Sequence, residues 1–214
     1  NIIKDFKKLK STSLVFGSQG VNSLDAIPVL AFDMLGLDVN IVYGMKGRKV
    51  GRAAIIRGET TIDYQTTASY LKHVNPLVEN NEMIPLMTWG SVINGQIRRD
   101  PNFPDLPSFA EVYEKVIENK NKEAFDAWQV LFNAGFATQK FIVLPKSASD
   151  DVVKSWIKAS AQIVNDLETM RVINKKLGNY KQIIDENLDT ALRKASTLNG
   201  PTYEYLSSWM ETKQ

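Results

Sequence analysis

Between Leu14 and Tyr64 the chain alternates short strand-like runs with glycine-closed loops and apolar stretches of helical length, and this rhythm restricts its possible folds more than any other feature. Leu14-Val15-Phe16 reads as a strand closed by Gly17-Ser18-Gln19-Gly20. Asn22, Ser23 and Asp25 are cap-type residues ahead of an apolar stretch at 26–35 that Gly36 stops, which predicts a helix with Pro28 in its first turn. Residues 39–43 predict a second strand, 44–47 a loop, and 48–57 a second helix ended by Gly58. Strand candidates at 62–64 and 83–88 flank a helix around 67–74. Alternating elements joined by short loops predict an α/β fold with a largely parallel sheet.

The second half reads differently. Residues 99–107 hold three prolines, so they predict an irregular crossing loop, followed by a helix at 108–117 and a polar break at 119–122. Residues 125–132 are apolar on a helical period, 141–144 (Phe-Ile-Val-Leu) predict a strand stopped by Pro145, and the remainder is mostly helical in pattern. Within 150–166, Val153, Trp156, Ile157, Ala161 and Val164 form one apolar stripe behind Ser147 or Ser149 as the cap. The change of character near residue 127 predicts two units, 1–126 and 127–214.

Elimination narrows the chemistry. With no cysteine and one histidine among 214 residues, thiolate nucleophiles, redox pairs, disulfides and His- or Cys-rich metal sites are excluded. His73 lies in a helical pattern with no nucleophile elbow beside it, so no catalytic residue, metal or cofactor is expected. Lys and Arg number 26 against 24 Asp and Glu, too even a balance to argue for a nucleic acid, and no apolar run reaches the ~18 residues of a membrane span.

Two local signals remain. The 17–23 loop stands where free backbone N–H groups at a helix start can bind an anion, yet it fits neither a dinucleotide nor a Walker pattern, so a ligand loop and an ordinary tight turn both stay open. Between Tyr43 and Gly58 there are five basic residues and no acid before Glu59. Arg48 and Arg52, four apart, share a helix face that either lines a cleft for carboxylates or phosphates or is simply solvated. The four tryptophans read most simply as core residues, and Trp128, at the change of character, is the one expected nearest a cleft between units.

The order of motifs resembles the extracytoplasmic solute receptors of tripartite tricarboxylate transporters, the TctC or Bug-type binding proteins, from their second lobe onward. Leu14-Val15-Phe16-Gly17-Ser18-Gln19-Gly20-Val21-Asn22-Ser23 is similar to that family's strand, Gly/Ser loop and helix start. Tyr43-Gly44-Met45-Lys46-Gly47, with Arg57-Gly58-Glu59 and Asp63, resembles its Tyr-Lys-Gly segment and following turn. Phe103-Pro104-Asp105-Leu106-Pro107-Ser108-Phe109-Ala110-Glu111 resembles its most specific signature. Leu24, Asp25 and Ala26 depart from it, because family members carry Ser, Thr and often His there, and an aspartate at a helix start competes with an anion for the same N–H groups.

The resemblance implies a periplasmic-binding-protein-like α/β fold of two lobes, each a mainly parallel sheet flanked by helices. Residues 1–126 would be the second lobe, and 127–214 the returning segment of a first lobe that is incomplete in this chain, so that the 214 residues are not the whole functional unit. It further implies a non-enzymatic periplasmic receptor for a small organic anion, with transporter subunits as partners. The expected ligand-binding residues are Ser18, Gly20, Asn22, Ser23, Tyr43, Lys46, Arg48, Thr66, Thr67 and Trp128. The competing reading is an α/β enzyme or interaction module that takes a phosphate-bearing small molecule at the 17–23 loop.

Overall fold

A computed structural model describes residues 2–93, 95–138, 140–184, 188–189, 192–193 and 197–213, with side chains from Phe6 onward. After α1 (Ile2–Lys10), strands β1 (Leu14–Ser18) and β2 (Val39–Tyr43) pair in parallel, Leu14 beside Val39 and Ser18 beside Tyr43. Parallel pairing needs a crossover, and α2 (Ala26–Leu35) supplies it. Eight of its ten residues are buried, so it runs through the centre of the core rather than along the surface. Gly36 ends it in the left-handed region at φ 63°, and the N–H groups of Gly36 and Leu37 close on the carbonyls of Asp33 and Phe32.

The order continues through α3 (Arg48–Ile56), α4 (Thr67–His73), α5 (Asn75–Glu79) and the hairpin β3 (Ser91–Ile93) and β4 (Gln96–Arg98). Then come α6 (Phe109–Val116), α7 (Lys122–Phe132), a π-helical turn at Asn133–Ala137, α8 (Asp150–Asn165), α9 (Leu167–Leu177) and α10 (Gly200–Glu211). The fold is mixed α/β, as the rhythm of the first 64 residues predicts. α6 starts on a complete capping box: Ser108 Oγ accepts from the Glu111 N–H, while a Glu111 carboxylate oxygen accepts from the Ser108 N–H.

Three expected strands are corrected. Residues 62–64 make a single parallel bridge from Ile62 to Phe16, because the Thr61 hydroxyl accepts the Val15 N–H that a continuing ladder would use (2.8 Å). In 83–88 only Thr88 pairs, bridging to Ser108; Pro85 brings no N–H to a ladder. Residues 141–144 have no regular structure. Phe141, Ile142 and Val143 are 54, 67 and 72% exposed, since no strand among the described residues lies alongside to pair them.

The expected boundary at 126/127 falls inside α7, and the core runs across it. Ala127, Trp128, Phe132, Leu206 and Trp209 belong to the same buried cluster as Phe16, Val29, Leu30, Phe109 and Val112. Trp128 stacks on Phe132 at 5.1 Å and lies 4.2 Å from Phe109, centroid to centroid. A Cβ on Gly135 would come within 2.6 Å of Leu24 Cδ2 and 2.7 Å of Ile27 Cδ1, so the π-helical turn rests closely on Leu24 and the first turn of α2. α10 closes the body through its Trp209, whose Nε1–H donates to Asp33 Oδ2 at 2.7 Å.

What stands apart is the α8–α9 hairpin. Neither helix buries a residue. Its C-terminal end is tied to the body by polar bonds: the Tyr180 hydroxyl donates to Asp100 Oδ2 (2.5 Å) and meets the Thr67 hydroxyl (2.5 Å), and the Asn179 N–H donates to Asn102 Oδ1 (2.6 Å).

Candidate functional site

The carboxyl ends of β1 and β2 and the chain after Ile62 bring three loops together, the location at which open parallel sheets place ligands. The Met45 N–H donates to the Ser18 carbonyl (2.9 Å), fastening the second loop to the first. Beneath them lies a buried charged network centred on Asp25. Oδ2 accepts the Gln19 N–H (2.6 Å) and the Ser18 hydroxyl (3.2 Å), and Oδ1 accepts the Tyr64 hydroxyl (2.8 Å). The chain's own carboxylate therefore occupies the anion position that a Gly/Ser loop offers. Asp25 is 0% exposed.

Arg48 neutralises it from the start of α3. Its Nε lies 3.7 Å from Asp25 Oδ1, its Nη1 3.3 Å from Asp63 Oδ1, and its Nη2 donates to the Gly17 carbonyl at 2.6 Å. The guanidinium also lies over two rings, 5.1 Å from the Phe16 centroid and 4.8 Å from that of Tyr64. Gly51 makes room for this: a Cβ there would stand 2.5 Å from Arg48 Nη2 and 3.2 Å from Asp63 Oδ1. Arg48 Nε and Nη1 and Asp63 Oδ1 are buried without a hydrogen bond, so charge alone joins Arg48 to the two carboxylates.

Gln65 extends the network outward. Its amide nitrogen donates to Asp63 Oδ2 (2.6 Å) and to the Arg48 carbonyl (3.1 Å), and its amide oxygen accepts from Arg52 Nη1 (2.9 Å) and the Ser69 hydroxyl (2.9 Å). Burial raises the Asp63 carboxyl above its ordinary range, against the lowering effects of the Gln65 hydrogen bond and the Arg48 charge. The Tyr64 phenol is also pushed up, first by burial and then by the Asp25 charge, so at neutral pH it remains the donor to Asp25.

The ten expected ligand residues divide into two groups. Ser18 is buried, and besides serving Asp25 its hydroxyl accepts the Gly20 N–H at 3.0 Å. The Ser23 hydroxyl donates to the Gly20 carbonyl (2.7 Å) and accepts the Asp25 N–H (3.1 Å). Arg48 faces inward, Thr67 is engaged with Tyr180, and Trp128 is fully buried in the core rather than beside an opening. Asn22, Tyr43 and Lys46 are exposed at the rim, with Gly20 and Thr66 half-buried beside them. Two of the donors on which the phosphate alternative draws, the Gln19 N–H and the Ser18 hydroxyl, are engaged by Asp25.

Asp63, Tyr64, Gln65 and Gly51 were not expected as site residues. Gly51 carries the one sequence signal that could have pointed here, a glycine inside a helical pattern, which marks close packing when no cap is near. Comparison of the chain with protein-family models, curated proteins and solved structures finds no match. Among the described residues no helix is long and apolar enough to cross a membrane.

Proposed function

We propose that the protein is a periplasmic solute receptor of two-lobed form that captures a small organic anion and presents it to the subunits of a membrane transporter. The observation that carries this reading is the convergence of three loops at the carboxyl ends of the parallel strands, locked by the Asp25–Arg48–Asp63–Tyr64 network. A binding surface held this way loses little conformational freedom when it takes a ligand. The order of motifs from Leu14 to Glu111 supports the same reading.

The network also changes how an anion is held. The inner position belongs to Asp25, so a ligand carboxylate meets the rim, where Lys46 supplies charge and Asn22, Tyr43 and Thr66 supply hydrogen-bonding groups. In this reading the α8–α9 hairpin belongs to the other lobe. Thermal unfolding across a panel of mono-, di- and tricarboxylates tests it, since a receptor is stabilised by RT ln(1 + [L]/Kd). At least one carboxylate raises the midpoint with a saturable dependence, and Lys46→Gln weakens that binding by roughly 2–5-fold, the scale of an exposed ion pair. A panel without any saturable stabiliser removes the proposal.

A further inference from the structure

The outer side of α3 and α4 carries a second cationic feature that the receptor reading does not use. Arg52 reaches from α3 across to α4 and is fixed there through one nitrogen: Nη1 donates to both Gln65 Oε1 and Ser69 Oγ at 2.9 Å. Its Nε and Nη2 have no hydrogen-bond partner among the described residues, so a guanidinium of set orientation keeps one bidentate edge available. Lys49 lies one turn before Arg52 on α3, and His73 lies one turn after Ser69 on α4, next to Lys72. Lys49, Lys72 and His73 are exposed, and Arg52 is half-buried.

These groups sense one another. The His73 imidazole is held below its ordinary range by loss of solvent around it and then by the positive charges of Arg52, Lys72 and Lys49. α9, which also packs against α4, carries Glu168, Arg171, Lys175 and Lys176, and these are not among the charges acting on His73. Glu79 on α5 is bonded by the Asn75 amide at 2.7 Å. The imidazole is therefore set in a field of cations drawn from two helices.

We propose that Arg52, Lys49, Lys72 and His73 form a binding site for a phosphate group, carried by a small molecule and received by the outer edge of α3 and α4. A phosphate fits better than a carboxylate because it brings nearly two charges and three acceptor oxygens to an Arg fork and three further donors. The site is independent of the rim around Lys46, and either can fail without the other.

The protein contains one histidine, so a single imidazole resonance in its proton NMR spectrum reports on this patch alone. The experiment follows that resonance through a pH titration in inorganic phosphate, in citrate and in sodium chloride, all at one ionic strength. Phosphate raises the His73 midpoint above its value in chloride, because a bound anion offsets the neighbouring cations; citrate does so less. Arg52→Gln weakens the phosphate response on the order of tenfold in apparent affinity, the scale of a lost charge-assisted pair. Should Arg52→Gln loosen the α3–α4 contact, the double variant Lys49→Gln/Lys72→Gln, at two exposed positions, gives an independent weakening. A midpoint identical in phosphate and chloride overturns the site, as does an undiminished phosphate response in both variants. Citrate acting as strongly as phosphate overturns the assignment to a phosphate group.

Discussion

α7 and α8 are both amphipathic helices that follow polar turns, and they end in opposite situations. α7 buries Ala124, Ala127, Trp128 and Phe132 between α2 and α10. α8 buries none of its 16 residues, and its apolar stripe leaves Trp156 and Ile157 each 47% exposed. A periodic stripe states which face of a helix seeks a partner; it does not state that the partner is at hand. The body owes its cohesion to side chains without water contact, while the α8–α9 hairpin is held at its Tyr180 end by a few polar bonds.

That contrast predicts where substitutions are felt. The largest effect is expected at Asp25. Alanine there leaves Arg48 buried with one carboxylate fewer and removes the acceptor of the Gln19 N–H and of the Ser18 and Tyr64 hydroxyls. Removing one partner of a buried ion pair costs about 3–5 kcal/mol. Urea unfolding of Asp25→Ala measures it, and a loss below about 1 kcal/mol would show that the network does not hold the loops. The carboxylate's replacement by the isosteric amide, Asp25→Asn, is expected to cost less, since the remaining oxygen still accepts.

The next effect belongs to the junction between the two regions. Tyr180→Phe removes the donor to Asp100 Oδ2 and the partner of the Thr67 hydroxyl, leaving a buried carboxylate short of one bond. About 1–3 kcal/mol is expected for the loss. Hydrogen exchange should speed up in α9 while α2 and α7 stay protected. Equal acceleration throughout would mean that the hairpin and the body unfold as one unit, and that the comparison drawn above is wrong.

Much of the body was legible from the sequence because its signals are local. Gly36 ends α2, the helix expected at 108–117 forms as α6, and the short runs at 14–16 and 39–43 become the paired strands. The strands at 62–64 and 141–144 were not legible, because pairing depends on which neighbour reaches them and on a single Thr61 hydroxyl. In the site, Arg48 stood out as a charge, but not the side on which it would be engaged. Its direction is set by Gly51, Asp63 and the rings of Phe16 and Tyr64, and of these Asp63 had been noted only as part of a turn and Phe16 and Tyr64 only as strand residues. Asp25 was visible as a competitor for the loop N–H groups; that it would fill the anion position follows only from tertiary contacts with Tyr64 and Arg48.

Asp63 yields a smaller effect with a definite sign. Burial raises its carboxyl above the ordinary range in the folded protein, so folding takes up a proton in the window just above about pH 4, where the unfolded chain has already released it. The contribution of Asp63 to stability is accordingly full below the unfolded value and is lost as pH rises through the folded one. Asp63→Asn removes that dependence. Subtracting the two urea-unfolding profiles between pH 4 and 7 should give a curve that falls with pH for the wild type relative to the variant and then flattens. A rising difference would mean that the Arg48 charge at 3.3 Å outweighs burial.

The smallest change is expected in the hairpin itself. Trp156 is a large apolar residue, and in the body its truncation would cost several kcal/mol, as Trp128→Ala should at about 3–5 kcal/mol for a fully buried indole. At 47% exposure on a helix that buries nothing, it has much less to lose: Trp156→Ala removes little packing and replaces an aromatic by the best helix former. Global unfolding should therefore shift by no more than about 0.5 kcal/mol, the range of surface substitutions. Tryptophan fluorescence sharpens the test. The wild-type spectrum contains a solvent-accessible component, quenched by iodide, most of which Trp156→Ala removes while the emission of the buried Trp128 and the half-buried Trp89 remains. If the variant lost several kcal/mol, or iodide quenching were undiminished, the α8 stripe would be covered in solution and the difference between α7 and α8 would disappear.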